Sequence, residues 1–273
     1  MIITEKFVLL NLPKTGSTFV RSVLKKIYKN RFERNRFFKI AKKLKIMKPP
    51  YEELILPNIK FKQGVVNHSD QHGVYSQIPE KDKNKTIVSV VRNPYNRLIS
   101  AYEFQFWKGR PALEKNILEK NFPNFPNLSI DEYIDYLVLV GENSYEKKPK
   151  DIKIGVFSLQ FIYFFFKEPK CVIKKLNKEY LENETLFKED LAEVTFLKQE
   201  SLSKDLIDFL IHQGFSKKEL EFIHTEDKIN VTENKTENRN ELITPKVIDY
   251  IENYEQFYMK VLKSKGIDYV NPF

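Results

Sequence analysis

At 273 residues the chain is long enough to bury a substantial core, and its organisation is read as a single domain over residues 1–273. One cysteine, Cys171, excludes a disulfide framework within the chain and fits a reducing compartment. The net charge of +9 is uneven: residues 21–48 hold twelve Lys or Arg against Glu33 alone, a net of +11, so the rest nets −2.

That patch points to an anionic partner, although a lysine-rich composition would also yield a solvated basic helix face. No stretch of about 18 uncharged apolar residues exists, so no transmembrane helix is expected. The longest apolar cluster, Phe161 to Phe166, is far too short. Met1 to Lys6 carries no signal-peptide pattern and leads straight into the first strand.

Phe7-Val-Leu-Leu-Asn-Leu12 is a continuous apolar run bounded by Pro13, the pattern of a buried parallel strand. Ser17 or Thr18 then caps a helix running to about Tyr28. Gly64-Val-Val66 reads as a short strand, and Thr86 to Val91 as a second buried one. After Arg92-Asn-Pro-Tyr95 a helix carries Leu98, Ala101, Tyr102 and Phe106 at helical spacing. The Pro-rich stretch 108–128 reads as a surface loop.

Helices are expected at 129–140 and 156–167, and a strand at Ala192 to Leu197. Two more helices, Ser201 to Gln213 and Ser216 to His224, break at Gly214. Residues 226–241 are polar and read as flexible. Thr244-Pro245 opens a last helix, with proline suited to its first turn. Strands alternating with helices predict a three-layer α/β domain with a central, mainly parallel sheet flanked by helices.

Pro13-Lys-Thr-Gly-Ser-Thr18 joins the first strand to a helix start. Free amide groups and the positive helix end make that turn an anion site. Lys14 adds a full charge, and the Ser17 and Thr18 hydroxyls add donors. A lysine-bearing turn with an ordinary cap is the plainer alternative. The nucleoside triphosphatase P-loop requires two glycines with lysine after the second. Here one glycine, Gly16, follows the lysine, so the loop suits a phosphate without fitting the kinase pattern.

The second motif is Val91-Arg-Asn-Pro-Tyr-Asn-Arg-Leu-Ile-Ser-Ala-Tyr102. Arg92 leaves a strand end, where α/β sheets bind ligands. Ser100 lies about two helical turns further on, so the guanidinium fork and the hydroxyl can grip one phosphate. Arg97 is open to a pairing within the protein, and an ion-pairing role for Arg92 remains the alternative.

Together, "PKTGST" after a first strand and "VRNPYNRLISAY" at a later strand end resemble the sulfotransferase family, most closely its carbohydrate branch. The resemblance implies 3′-phosphoadenosine 5′-phosphosulfate (PAPS) as donor. It implies that Lys14, Thr15, Gly16, Ser17 and Thr18 hold the 5′-phosphosulfate, and that Arg92 and Ser100 hold the 3′-phosphate. Phe157-Ser-Leu-Gln160 is similar to the family's apolar segment ending in Gln. Phe196 to Leu202 with Asp205 resembles its strand-to-helix step, and Ile229 to Thr232 its Asn-x-Ser/Thr segment. Members often carry Asp after a Tyr in the final helix; here Glu255-Gln256 follows Tyr254.

Sulfuryl transfer to a hydroxyl builds charge on the leaving phosphate oxygen. Lys14 and the loop amides would stabilise it, and no metal is called for. The acceptor hydroxyl needs a general base. Val65-Val-Asn-His-Ser-Asp-Gln-His-Gly73 offers His68 first and His72 second, by position between the two phosphate motifs. Some carbohydrate sulfotransferases carry a catalytic His in a similarly placed loop. A polar loop with surface histidines is the alternative, and Asp70, Glu103 and Glu200 are substitute carboxylate bases. His212 and His224 fall on expected helices.

The expected function is transfer of a sulfuryl group from PAPS to a hydroxyl acceptor, with a carbohydrate as the expected substrate. A nucleic-acid or polyanion binder using the basic 21–48 stretch, and a nucleotide kinase with a degenerate P-loop, are the competing readings. Six Asn-x-Ser/Thr sites occur, and a glycan on Asn67 would crowd the expected base. A cytoplasmic location is therefore expected.

Overall fold

The chain opens with two short strands that fold back on each other. In β1, Ile2–Ile3, the residues pair antiparallel with Leu9 and Val8 of β2, Phe7–Leu10. Thr4 closes the turn between them: its hydroxyl donates to the Phe7 carbonyl at 2.8 Å and accepts from the Lys6 and Phe7 amides. The fold is that of a computed structural model, which describes residues 1–44, 46, 52–53, 72–144, 151–225 and 239–272.

β2 leads through a turn into α1, Ser17–Arg34, followed by α2, Arg36–Lys43. β3, Glu52–Glu53, pairs antiparallel with β1. β4, Thr86–Val91, runs parallel to β2 in the register Phe7 to Thr86, and α3, Pro94–Phe104, follows it. β5, Thr195–Lys198, runs parallel to β4. The sheet order is β3-β1-β2-β4-β5. The fold is α/β, with parallel strands β2, β4 and β5 at its heart and helices around them.

The described residues form two compact units. The first draws on the described residues of 1–58 and 67–92 with 193–225 and contains the whole sheet. In its core Val20, Val23, Leu24, Ile27 and Tyr28 recur every three to four residues along α1. They pack with Phe7, Leu9, Val88, Val90, Leu197 and Leu206. The second takes in 93–192 and 239–272 and is helical. Its core gathers Tyr95, Leu98, Trp107, Tyr133, Ile134, Leu137, Phe157, Tyr250 and Ile251.

Several boundaries differ from the sequence reading. α1 runs to Arg34 rather than Tyr28, because no Gly or Pro interrupts it and Arg31 is held by Glu219 at 2.5 and 2.8 Å. The expected loop at 108–128 contains a helix, Lys115–Asn121, and buries Leu113, Leu118 and Phe122. Its prolines, at 111, 123 and 126, flank that helix instead of interrupting it.

The strand expected from Ala192 starts at Thr195, because Ala192 donates its amide to Phe165 at 2.9 Å. Past Thr244, whose hydroxyl accepts from the Val247 amide, there are two helices, Pro245–Tyr254 and Gln256–Ser264. The expected strand at Gly64 to Val66 and most of the polar 226–241 segment lie outside the described residues.

Candidate functional site

In the first unit β2, β4 and β5 point their carboxyl ends the same way, which is where open α/β sheets take ligands. The turn after β2 has two residues of positive φ, Lys14 at 63° and Gly16 at 92°. Glycine adopts such a backbone without cost; lysine does not, so the surrounding contacts hold Lys14 there. The Thr15 side chain is fully buried and its hydroxyl donates to the Leu12 carbonyl at 2.9 Å. Ser17 leans on the same carbonyl at 3.4 Å.

α1 begins at Ser17, so the flanking residue is Gly16, whose carbonyl accepts from the Phe19 amide at 3.0 Å. The expected Ser17 or Thr18 cap is therefore replaced by a glycine-flanked start. A Cβ on Gly16 would come within 3.2 Å of Leu202 Cδ2 and 3.3 Å of Gln199 Cγ, so the turn packs tightly against the end of β5. With the Phe19 amide taken by Gly16, the Ser17 and Thr18 amides lie at the N-terminal end of α1, the end of a helix that suits an anion.

Arg92 follows β4, and its Nη1 donates to the Lys14 carbonyl at 3.4 Å. Ser89 ties the same strand to β2 by donating to the Leu10 carbonyl at 2.8 Å. A guanidinium and the Lys14 turn thus share one strand edge. His72 joins them there: its Nδ1 lies 2.5 Å from the Asn11 carbonyl oxygen, directly after β2. A carbonyl only accepts, so Nδ1 carries the proton and Nε2 is the basic nitrogen of the neutral ring.

Beyond β5, Asp205 accepts from the Lys198 amide at 2.9 Å and the Ser201 hydroxyl at 2.8 Å, which fixes the step from strand to helix.

In the second unit Asn93 caps α3 by accepting from the Tyr95 amide, with Pro94 in the first turn. Ser100 lies on α3 and is buried. Arg97 is fully buried, donates to Gln160 Oε1 at 2.7 Å and stacks on Phe157 at 4.2 Å. It is therefore paired within the protein, and burial pulls its pKa down.

Glu103 is gripped by Arg239 at 3.0 and 2.5 Å, an ion pair that occupies both carboxylate oxygens. Glu255 is fully buried and accepts from the amides of Phe157 and Ser158, the Ser158 hydroxyl and the Tyr250 hydroxyl. It serves the first turn of the helix Val156–Phe165. Burial raises its pKa against the opposing pull of those donors.

Of the residues singled out in the sequence, Lys14 to Thr18, His72 and Arg92 come together in the first unit, while Ser100 belongs to the second. His68 and Asp70 lie outside the described residues. Three contributors had no signal of their own. Asn11 acts through its backbone carbonyl, which every residue possesses, and Gln199 and Leu202 act as the packing surface beneath Gly16. Among the described residues no three His, Cys, Asp or Glu side chains group as a metal site would.

A model of the sulfotransferase family matches residues 2–156. That span encloses the Lys14 turn, His72, Arg92 and Ser100. No curated protein and no solved structure matches the chain.

Proposed function

This chain belongs to the sulfotransferase family, and from that premise we propose that it transfers a sulfuryl group from PAPS to a carbohydrate hydroxyl. The observation that carries the reading is the shared strand edge: the Lys14 turn, Arg92 bonded to its carbonyl, and His72 held on Asn11. The donor supplies the sulfuryl group and a departing phosphate. The protein's residues fit both ends, because Gly16 lets the backbone approach a phosphate closely and the α1 amides and Lys14 supply positive charge.

Lys14 neutralises charge on the departing phosphate oxygen, and the first amides of α1 hold its other oxygens. Arg92 offers the 3′-phosphate a guanidinium fork, and a part for Ser100 in holding that phosphate is drawn only from the resemblance of the 91–102 motif. His72 takes the acceptor proton at Nε2 while Nδ1 stays on Asn11. The new S–O bond forms to the acceptor oxygen as the S–O bond to phosphate breaks. The carbohydrate choice rests on the likeness of the two motifs to that branch, and the cytoplasmic location on the single cysteine.

The test is transfer of labelled sulfate from PAPS to a panel of glycans and small alcohols. Glycan-dependent transfer supports the reading. Transfer only to small alcohols overturns the carbohydrate assignment, and magnesium-dependent ATP turnover without sulfate transfer overturns the whole proposal.

A further inference from the structure

Asn35 precedes α2, and its side chain accepts from the Phe37 amide at 3.0 Å. At the C-terminal end of α2 Leu44 donates to the Ile40 carbonyl at 2.9 Å and Ile46 to the Ala41 carbonyl at 3.0 Å, the five-residue span of a helix end. Phe37, Ile40 and Leu44 stand at i, i+3 and i+7 and therefore share one face. They are 67, 60 and 61% exposed, and Ile46 beyond them is 75% exposed. Only three other large apolar side chains among the described residues are so exposed, Phe104, Phe106 and Val270. Scattered single exposures are ordinary, but four within ten residues make a patch. Arg36 and Lys43 are exposed beside it, and the 21–48 stretch carries a net +11.

We infer that α2, with Leu44 and Ile46, forms a docking face for an anionic lipid bilayer. The helix lies flat, with Phe37, Ile40, Leu44 and Ile46 entering the acyl boundary and Arg36 and Lys43 meeting the headgroups. Two other occupants satisfy only half of the pattern. A soluble polyanion neutralises the charge and leaves the apolar side chains in water. A second copy covers the apolar side chains and brings two +11 stretches together. An anionic membrane surface answers both features at once. No helix among the described residues is long and apolar enough to cross a membrane.

The experiment is co-sedimentation of the full chain with vesicles, and it needs no donor or acceptor, so it stands apart from the transfer chemistry. The probes are phosphatidylcholine vesicles, the same vesicles with one part in four phosphatidylserine, and heparin. Wild type should bind the serine-containing vesicles, less so as salt rises. The double substitution Ile40→Asp, Leu44→Asp should weaken that binding roughly tenfold or more with an unchanged Tm. Ile40→Ser with Leu44→Ser, a milder change at the same exposed positions, should weaken it in the same direction. Arg36→Gln with Lys43→Gln should weaken it and flatten its salt dependence. Absence of wild-type binding to anionic vesicles, vesicle binding that survives the Asp pair, heparin binding without vesicle binding, or a dimer dissolved by the Asp pair would each overturn the inference.

Discussion

His72 Nδ1 lies 2.5 Å from the carbonyl oxygen of Asn11, a residue 61 positions earlier in the chain. Because the acceptor is a backbone carbonyl, it has no proton to give and no side chain to lose. The bond sets the tautomer and the ring orientation together, and it anchors the ring at the end of β2. The same strand end leads into the Lys14 turn, so the proposed base and the proposed phosphate contact hang from one short segment.

His72→Ala and His72→Asn should each lower turnover on the order of 10²–10⁴-fold while leaving nucleotide affinity nearly intact. Steady-state rates and calorimetric titration of 3′-phosphoadenosine 5′-phosphate check both halves. Near-normal turnover in both variants, with a large loss in His68→Ala, would return the role to His68.

Lys14 is strained at φ 63°, so glycine there separates chemistry from stability. Lys14→Gly should lower turnover about a hundredfold, the loss expected for one transition-state contact of roughly 3 kcal/mol. Its denaturant midpoint should stay the same or rise, since glycine relieves the backbone. An unchanged turnover number would remove Lys14 from the chemistry.

Arg92→Ala should weaken nucleotide binding by roughly 1.5–3 kcal/mol, and Ser100→Ala by roughly 0.5–1.5 kcal/mol. Both should erode the preference for PAPS over the analogue lacking the 3′-phosphate. If wild type binds the two nucleotides equally well, the 3′-phosphate assignment to these residues is wrong.

Gly16→Ala combines a disfavoured φ of 92° with contacts of 3.2 and 3.3 Å to Leu202 and Gln199. A stability loss of roughly 1–3 kcal/mol is expected, read as a lower midpoint at unchanged slope in urea. A smaller substitution opposite, Leu202→Ala, should not restore it fully, because the backbone strain remains.

Glu255 gives a pH signature. Its folded pKa is raised by burial above the ordinary carboxylate range, so the folded state binds its proton more readily than the unfolded chain. The stability contributed by this group is full below the unfolded pKa and is lost as pH rises through the folded pKa. Glu255→Gln cannot titrate, so its stability should change less over that interval. It should also be less stable outright, because a carboxamide nitrogen would face an amide or hydroxyl donor now bonded to carboxylate. Urea unfolding across a pH series measures both effects, and identical pH slopes for the two proteins would refute the assignment.

Local chemistry made much of this protein legible in advance. The apolar runs at 7–12 and 86–91 read as buried strands, and β2, Phe7–Leu10, and β4 pair in parallel. Pro13 to Thr18 announced a turn into a helix, and Arg92-Asn-Pro-Tyr95 a strand end followed by a helix. Prolines misled at 108–128, because a proline beside a helix and a proline inside one look alike until the boundaries are known.

Sequence alone made the strand-turn-helix units and the motifs at 13–18 and 91–102 legible, because periodicity, turn residues and caps act over a few positions. Tertiary structure alone decided which polar groups are spent on the fold. Arg97 goes to Gln160, 63 residues away, Glu103 to Arg239 across 136, and Glu255 to the start of the helix at Val156 across 97 and 98. A buried charge needs a partner wherever the chain brings one, and no local pattern records that partner. The same physics ties Glu103 to Arg239 and gives His72 its carbonyl on Asn11.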